Sequence, residues 1–421
     1  MTLDVGVDRP RAPRGSDVAL LTGGGDRPYA VGLALALVAN GLCLDFVGSD
    51  ELDIAELRAS PRLSFLNLRG NQRADASLAR KSWRVLAYYA RLIRYACAES
   101  PELFHILWNN KFEPFDRTVL MLYYRLLGKR IVLTVHNVNA GTRDGTDSWL
   151  NRLTLGIQYR LSHHLFVHTE KMKSEIHDDF GLGDGRITVI PFGLNDTLAD
   201  TGVSPQEAKR RLGIAHTDKT VLFFGAIRPY KGLEYLVAAF RQLLVTDPNY
   251  RLIIAGQPNS ESRAYLKAIE QSLSPDDVRA RLILKTEYIP DDEAELYFKA
   301  ADVLVLPYTH VFQSGVLFSG YRFGLPVVAT DVGSLREDII EGRTGYVCAP
   351  RDAADLATAV ARYFRSDLFK TLSTRRRDIQ AYARARHSWD VVGETTRGVY
   401  EALLGRSDER RCATAGGHDE D

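Results

Sequence analysis

The chain has 421 residues and a mass of 47.1 kDa, with 45% hydrophobic and 25% charged side chains, so disorder is excluded as its main state and two packed domains are the natural reading. Lys and Arg number 54 against 53 Asp and Glu, a net charge of +1 that argues against a dedicated nucleic-acid binder, whose affinity needs a basic excess. Cys43, Cys97, Cys348 and Cys412 lie far apart without CxxC or His-rich partners, which indicates ordinary thiols rather than a zinc site or a disulfide framework.

The N-terminus MTLDVGVDRPRAPRGS has no apolar core of a signal peptide, and no stretch reaches the roughly 18 apolar residues of a membrane span. The expectation is a cytoplasmic protein, at most peripheral on the inner face of a membrane.

Short apolar runs then alternate with amphipathic stretches, the pattern of βα units on a parallel sheet. Strands are predicted near Val18–Thr22, Leu42–Val47, Leu63–Leu68, Leu103–Leu107, Ile131–His136, His164–His168 and Ile187–Pro191. Helices are predicted at Tyr29–Asn40, Ser77–Ala98, Phe115–Leu127, Trp149–Leu161 and Glu170–Phe180. The polar segment Gly193–Leu212 reads as a linker. A second series follows, with strands at Thr220–Phe224, Tyr250–Ala255, Arg281–Lys285, Val303–Pro307, Pro326–Ala329 and Gly345–Cys348. Its helices are predicted at Lys231–Thr246, Ser262–Leu273, Ala294–Ala301, Val316–Phe323, Leu335–Glu341, Ala353–Phe364 and Leu368–Arg384.

The resulting expectation is an α/β protein of two Rossmann-like, doubly wound domains facing across a cleft, divided as 1–195 and 196–388. A helix at 389–405 is expected to cross back to the first domain, and a polar tail at 406–421 to be disordered.

In the first half, Gly23-Gly24-Gly25-Asp26-Arg27-Pro28 joins the first strand to the first helix, where glycines let backbone approach a ligand. Asp45, about 20 residues on and read as ending the next strand, fits the acidic group of a dinucleotide site, so an NAD-linked oxidoreductase is one alternative. Against it, the sixth position of the G-x-G-x-x-G would be Pro28, which suits a first helical turn. Ile131-Val-Leu-Thr-Val-His136-Asn137 ends a buried strand in polar residues, which serve either as a strand cap or as ligand contacts. Arg143, Asp144 and Asp147 read as a solvated turn.

The segment 77–98 carries Val85, Tyr89, Leu92 and Ala96 on one face and Arg80, Arg84, Arg91 and Arg94 on the other. From Arg73 to Arg130 there are 11 Lys and Arg against 5 Asp and Glu. With Trp83, Tyr88 and Tyr95 nearby, this helix suits an anionic membrane surface; the alternative is a helix packed on the sheet with a solvated basic face.

In the second half, an apolar strand ends at Phe224, Gly225 turns the chain, and Arg228 and Lys231 precede a helix, so that cations and helix-start N–H groups converge as a diphosphate requires. A second strand ends in Pro307-Tyr308, after which Gln313-Ser314-Gly315-Val316 opens a helix whose unpaired N–H groups suit phosphate oxygens. No Asp-x-Asp ends a predicted strand, and the late Asp419-Glu-Asp421 lies in the tail, so no divalent metal and no cofactor is expected.

The segments FGAIRPYKGLEYL, ADVLVLPY, QSGVLFSGYRFGLPVVATDVG and EGRTGYV, within Val221–Cys348, resemble in order and spacing the glycosyltransferases of family 4, which have the GT-B fold. The resemblance implies a hexosyltransferase that uses a nucleoside-diphosphate sugar and a saccharide or lipid-linked acceptor in polysaccharide or glycolipid assembly. It implies Arg228 and Lys231 on the diphosphate, with Gly225, Gln313, Ser314, Gly315 and Val316 around the donor. It also implies that Gly24, Gly25 and Asn137 line the sugar and acceptor cleft and that His136 contacts the transferred sugar.

Two positions depart from the family pattern. Ala226 stands where an Arg is common, and the Glu-x7-Glu pair, counted back from Gly324, falls on Val311 and Ser319. Gln313-Ser314-Gly315 matches a subset of the family, and Ser319 is left as a hydrogen-bonding group for the ribose. Retention of anomeric configuration is implied by the family; inversion and a non-catalytic sugar-nucleotide-binding subunit are the readings that the missing Glu pair leaves open.

Overall fold

The computed structural model describes residues 16–72, 78–98, 101–195, 198–273 and 275–405. Ser77, the tail 406–421 and Cys412 lie outside the described residues. The chain divides into two compact units, one of residues 16–136, 147–191 and 389–405, the other of 137–146 and 192–388.

Among its described residues the first unit holds seven parallel strands: β1 (Val18–Leu21), β2 (Leu44–Gly48), β3 (Leu63–Asn67), β4 (Leu103–Ile106), β5 (Arg130–Thr134), β6 (His164–Val167) and β7 (Ile187–Val189). Their order is β3-β2-β1-β4-β5-β6-β7. β1, β2, β4 and β6 are buried along their whole length, as strands covered by helices on both faces must be. The chain winds one way from β1 to β3 and the other way from β4, which puts a switch point between β1 and β4. Asp26 caps the first helix, Arg27–Ala39, by accepting from the Tyr29 N–H at 2.9 Å, with Pro28 in its first turn. The last helix, Trp389–Leu404, packs on it: a Cβ at Gly32 would overlap the Trp389 indole, and one at Gly393 would crowd Ala36.

The second unit holds β8 (Lys219–Phe224), β9 (Tyr250–Ala255), β10 (Leu282–Lys285), β11 (Val303–Leu306), β12 (Val327–Thr330) and β13 (Gly345–Cys348), again all parallel, in the order β10-β9-β8-β11-β12-β13. Its switch point lies between β8 and β11. One continuous core runs from Leu194 to Ala383.

Several expectations need correction. Gly193–Leu212 is no linker: Leu194, Leu198 and Ala208 join the second core, and Ser204 caps a helix at Pro205–Arg211 by accepting from the Glu207 N–H. Thr201 is tied down as well, its N–H and hydroxyl each donating to the Glu295 carboxylate at 2.9 Å. The segment read as a helix at Leu335–Glu341 forms only the 3-10 turn Leu335–Asp338, because the Thr344 hydroxyl takes the Ile340 N–H that a continuing helix would bond. Thr371 leaves helical geometry and splits the helix expected at Leu368–Arg384 into Asp367–Lys370 and Leu372–Arg386. Between Glu113 and Leu126 the helix passes through a π turn at Asp116–Leu120.

Candidate functional site

The residues with most chemistry in the second unit gather at its switch point. Past β8 the chain turns at Gly225, whose φ of 96° is a left-handed value that side chains resist. A Cβ there would lie 3.2 Å from the Lys231 ammonium and 3.3 Å from Val316 Cγ2, so backbone, cation and helix start meet at one point. The turn Pro229–Lys231 leads through Gly232, φ 64°, into the helix Leu233–Thr246. A Cβ on Gly232 would overlap the Pro307 carbonyl, so that turn lies directly on the loop after β11. The Tyr230 carbonyl accepts from the Thr309 N–H at 2.8 Å and laces the two loops together.

This packing leaves Lys231 buried, its Nζ 5.5 Å from the centre of the Tyr308 ring. Burial, helped by the neighbouring Arg228 charge, lowers its pKa from 10.5 to about 8. Arg228 is half-buried at the entry to the same turn, while Ala226 is exposed.

The loop from Tyr308 to Gly315 is braced from β12. Thr330 Oγ1 donates to the Tyr308 carbonyl at 2.6 Å, Ser334 Oγ donates to the Phe312 carbonyl at 2.6 Å, and a Cβ on Gly333 would overlap the Val311 carbonyl. The TDVG stretch thus holds the loop that delivers Gln313, Ser314 and Gly315. Ser314 stands at the N-cap of the helix Gly315–Arg322 without capping it; its hydroxyl shares a 3.2 Å hydrogen bond with the Tyr308 hydroxyl. The first N–H groups of that helix are therefore not taken by the Ser314 side chain. Ser319 Oγ donates to the Gly315 carbonyl at 3.1 Å, so its proton is used within its own helix and only its lone pairs remain for a ligand.

Gln313 Nε2 donates to Asp338 Oδ2 at 3.4 Å, whereas its buried Oε1 has no hydrogen-bond partner among the described residues. Burial pushes the Asp338 carboxyl up to about 7. His387 lies 3.7 Å from it, but burial and Arg386 push the imidazole down to about 4, so the pair is not an ion pair at neutral pH. Asp338 escaped the sequence reading because nothing in LREDII distinguishes it from a solvated acidic turn.

In the first unit, Gly25 leaves room for Trp108, whose ring a Cβ would overlap, and a Cβ at Gly24 would overlap the Arg69 guanidinium. Trp108 stacks flat on His136, with centroids 4.2 Å apart at 2°, and Tyr29 meets His136 edge-on at 4.7 Å. His136 Nδ1 lies 3.1 Å from His168 Nε2, and burial together with His168 holds the His136 pKa well below its usual value. His136 is thus a neutral ring in an aromatic box. Asn137 is half-buried, and with it begins the segment that groups with the second unit. Trp108 and Arg69 were missed in the sequence, since a lone Trp and a lone Arg past strand ends carry no pattern.

Asp45 does not end β2. It is the second of five residues, and its carboxylate accepts from Ser16 Oγ at 2.7 Å and the Tyr95 hydroxyl at 2.6 Å, which removes the acidic group that the NAD reading required. Among the described residues, no group of three His, Cys, Asp or Glu side chains could hold a metal ion. Arg143 and Asp144 fall in the short helix Ala140–Asp144, and Asp147 accepts from Asn151 Nδ2 and Arg152 Nε.

Two family models match, "Glycosyltransferase Family 4" over residues 23–198 and "Glycosyl transferases group 1" over residues 218–366. A D-inositol 3-phosphate glycosyltransferase of Acidothermus cellulolyticus is 26% identical over 93% of this chain and 87% of its own length. Among solved structures, a sucrose-phosphate synthase from Thermosynechococcus elongatus superposes with a TM-score of 0.74 at 19% identity, covering 93% of this chain and 99% of that one. Alr3699/HepE of Anabaena, in complex with UDP and glucose, gives 0.71 at 17%, covering 92% and 100%. Fold and relatives define a nucleotide-sugar-dependent glycosyltransferase with two Rossmann-like domains of the GT-B type. The chain belongs to the group 1, family 4 glycosyltransferases.

Proposed function

We propose that this enzyme moves a hexosyl group from a nucleoside-diphosphate sugar to a hydroxyl of a saccharide or lipid-linked acceptor, with retention of configuration, in polysaccharide or glycolipid assembly. The observation that carries the donor half is the meeting of Gly225, Lys231 and Val316 at the switch point of the second sheet. Negative charge develops on the leaving diphosphate as the glycosidic bond to it breaks. A buried ammonium, the Arg228 guanidinium and the backbone N–H groups of Gly315 and Val316 supply preorganised positive potential there. In this reading those groups do the neutralising, with no metal required. Gln313 offers its buried carbonyl oxygen to a ligand hydroxyl, and Ser319 can only accept.

The first unit is assigned to the acceptor, with the turn Gly24-Gly25 and the His136 box beneath it; His136, neutral, serves by shape and hydrogen bonding rather than as a charged acid. The HepE complex supports trying UDP-glucose first.

A thermal-shift screen with UDP, GDP, ADP, TDP and their sugars, followed by transfer assays with EDTA present, tests this. Lys231→Ala should lower turnover by about 10²–10³. Turnover within twofold of the native enzyme would remove Lys231 from the mechanism, and the anomeric proton coupling of the product tells retention from inversion.

Contact with an anionic membrane surface is part of the same proposal. Trp83 is 71% and Leu126 79% exposed, Leu86, Leu122 and Trp149 are exposed too, and Arg80, Arg91 and Arg94 are exposed on the helix Leu78–Cys97. Tyr88 and Tyr95, grouped with Trp83 in the sequence reading, turn inward instead: Tyr88 is buried and the Tyr95 hydroxyl donates to Asp45. No helix among the described residues is long and apolar enough to cross a membrane. Trp83→Ser/Leu86→Ser should abolish sedimentation with phosphatidylglycerol vesicles; unchanged sedimentation would refute this surface.

A further inference from the structure

The first unit contains a cavity of about 220 Å³ at the helix Leu78–Cys97 and the loops after β3 and β4, several times the ~30 Å³ share of a water molecule. Arg69, Lys81, Arg84 and Lys111 line it together with Tyr88 and Asn110, and none of the described residues lining it is a carboxylate. Four cations around one small space repel one another unless a counter-charge enters.

Arg69 makes the case specific. Its Nε and Nη1 are buried and have no hydrogen-bond partner among the described residues, and its guanidinium lies 5.3 Å from the centre of the Tyr88 ring. Tyr88 donates in turn to Asn110 Oδ1 at 2.7 Å, which orients both faces of the cavity wall. The carboxylate in this network, Asp116, is committed to the Asn110 backbone N–H at 2.6 Å and its Nδ2 at 3.3 Å. Buried guanidinium N–H groups without acceptors are costly, and the tetrahedral oxygens of a phosphoryl group match them in charge and spacing. The same guanidinium is what a Cβ at Gly24 would strike, so the cavity adjoins the glycine turn assigned to the acceptor.

We propose that this cavity holds a phosphoryl group carried by the acceptor, so that the enzyme glycosylates a phosphate-bearing molecule. The proposal rests on the acceptor role of the first unit. Arg69 would donate two N–H groups to the phosphoryl oxygens, and Lys81, Arg84 and Lys111 would neutralise it. A soluble sugar phosphate and a lipid phosphate headgroup present the same chemistry.

The test is calorimetry on the full chain with glucose 6-phosphate and free glucose, beside sedimentation with vesicles of phosphatidic acid or of phosphatidylcholine alone. Lys81→Glu/Lys111→Glu should weaken whichever phosphate probe binds by at least tenfold, and Arg69→Lys, which keeps the charge but loses the fork, by a smaller factor. Affinity for the nucleotide chosen in the thermal screen should stay within twofold. Lys231→Ala should do the reverse, losing nucleotide and keeping the phosphate probe, so failure of the donor assignment is separable from failure here. Loss confined to glucose 6-phosphate identifies a soluble acceptor, and loss confined to phosphatidic acid a lipid one. Equal binding of both probes to native and charge-reversed protein, or binding of neither, overturns the proposal.

Discussion

The Lys231 ammonium lies 5.5 Å from the centre of the Tyr308 ring, buried in the second unit, where among the described residues no carboxylate offsets its charge. Its folded pKa, about 8, lies below the 10.5 of a free lysine. Below pH 8 the ammonium is charged in both folded and unfolded chains and the burial penalty is complete; it fades between pH 8 and 10.5 as the folded protein loses its proton first. Lys231→Met should therefore raise the stability of the ligand-free protein by roughly 1–3 kcal/mol at pH 7 and bring little gain at pH 10, while abolishing nucleotide binding. Thermal melts at the two pH values check this.

A bound diphosphate favours the charged form of Lys231 and raises its pKa. Nucleotide binding at pH 8.5 should be accompanied by proton uptake, and affinity should fall by up to about tenfold per pH unit above pH 8. Titration calorimetry in two buffers of different ionisation enthalpy measures the uptake. An affinity that is level from pH 7 to 9.5 with no proton taken up would contradict contact between Lys231 and the diphosphate.

Gly225→Ala forces a side chain into a left-handed backbone and places its Cβ 3.2 Å from Lys231 Nζ. The expected result is a loss of about 1–2 kcal/mol in stability and at least tenfold in nucleotide affinity, because the displaced group is the cation itself. Ala226→Gly, one residue on and exposed, is the matched control and should leave affinity unchanged.

Asp338 has a folded pKa raised from 3.8 to about 7. The folded protein then holds a proton that the unfolded chain has released, so stability attributable to this group falls as pH rises from about 4 to 7. Asp338→Asn should raise the melting temperature by several degrees at pH 8 and hardly at all at pH 4. The difference between variant and native melts across that range isolates the effect.

Gly25→Ala sets a methyl group against the Trp108 ring, which cannot move without leaving its stack on His136. Destabilisation of about 1–3 kcal/mol and a changed Trp fluorescence spectrum are expected. A native spectrum and melting temperature would show that Trp108 does not occupy this position in solution.

Local pattern carried much of the architecture. All thirteen strands of the described residues coincide with apolar runs readable in the chain, and nine helices, among them Trp149–Leu161 and Trp389–Leu404, begin and end within a residue or two of the expected limits. Buried parallel strands need continuous apolar side chains, and helices need a period and a cap, so both are written within a few residues of one another. The misreadings, at Leu335–Glu341, Thr371 and Gly193–Leu212, fall where a distant or competing hydrogen bond or a shared core outweighed local preference.

The chemistry divides in the same way. FGAIRPYKG and QSGVLFSG determined, as sequence, that glycines, cations and a helix start would recur at strand ends of one domain, because phosphate recognition depends on backbone conformation that few residue types allow. That Lys231 is buried against Tyr308, that Gln313 answers to Asp338, and that Arg69 closes on Gly24 beside a basic cavity were decided only by the tertiary structure. Burial and pairing depend on which strand ends the winding of the sheet brings together, and residues 25 to 77 positions apart carry no mark of that in their order.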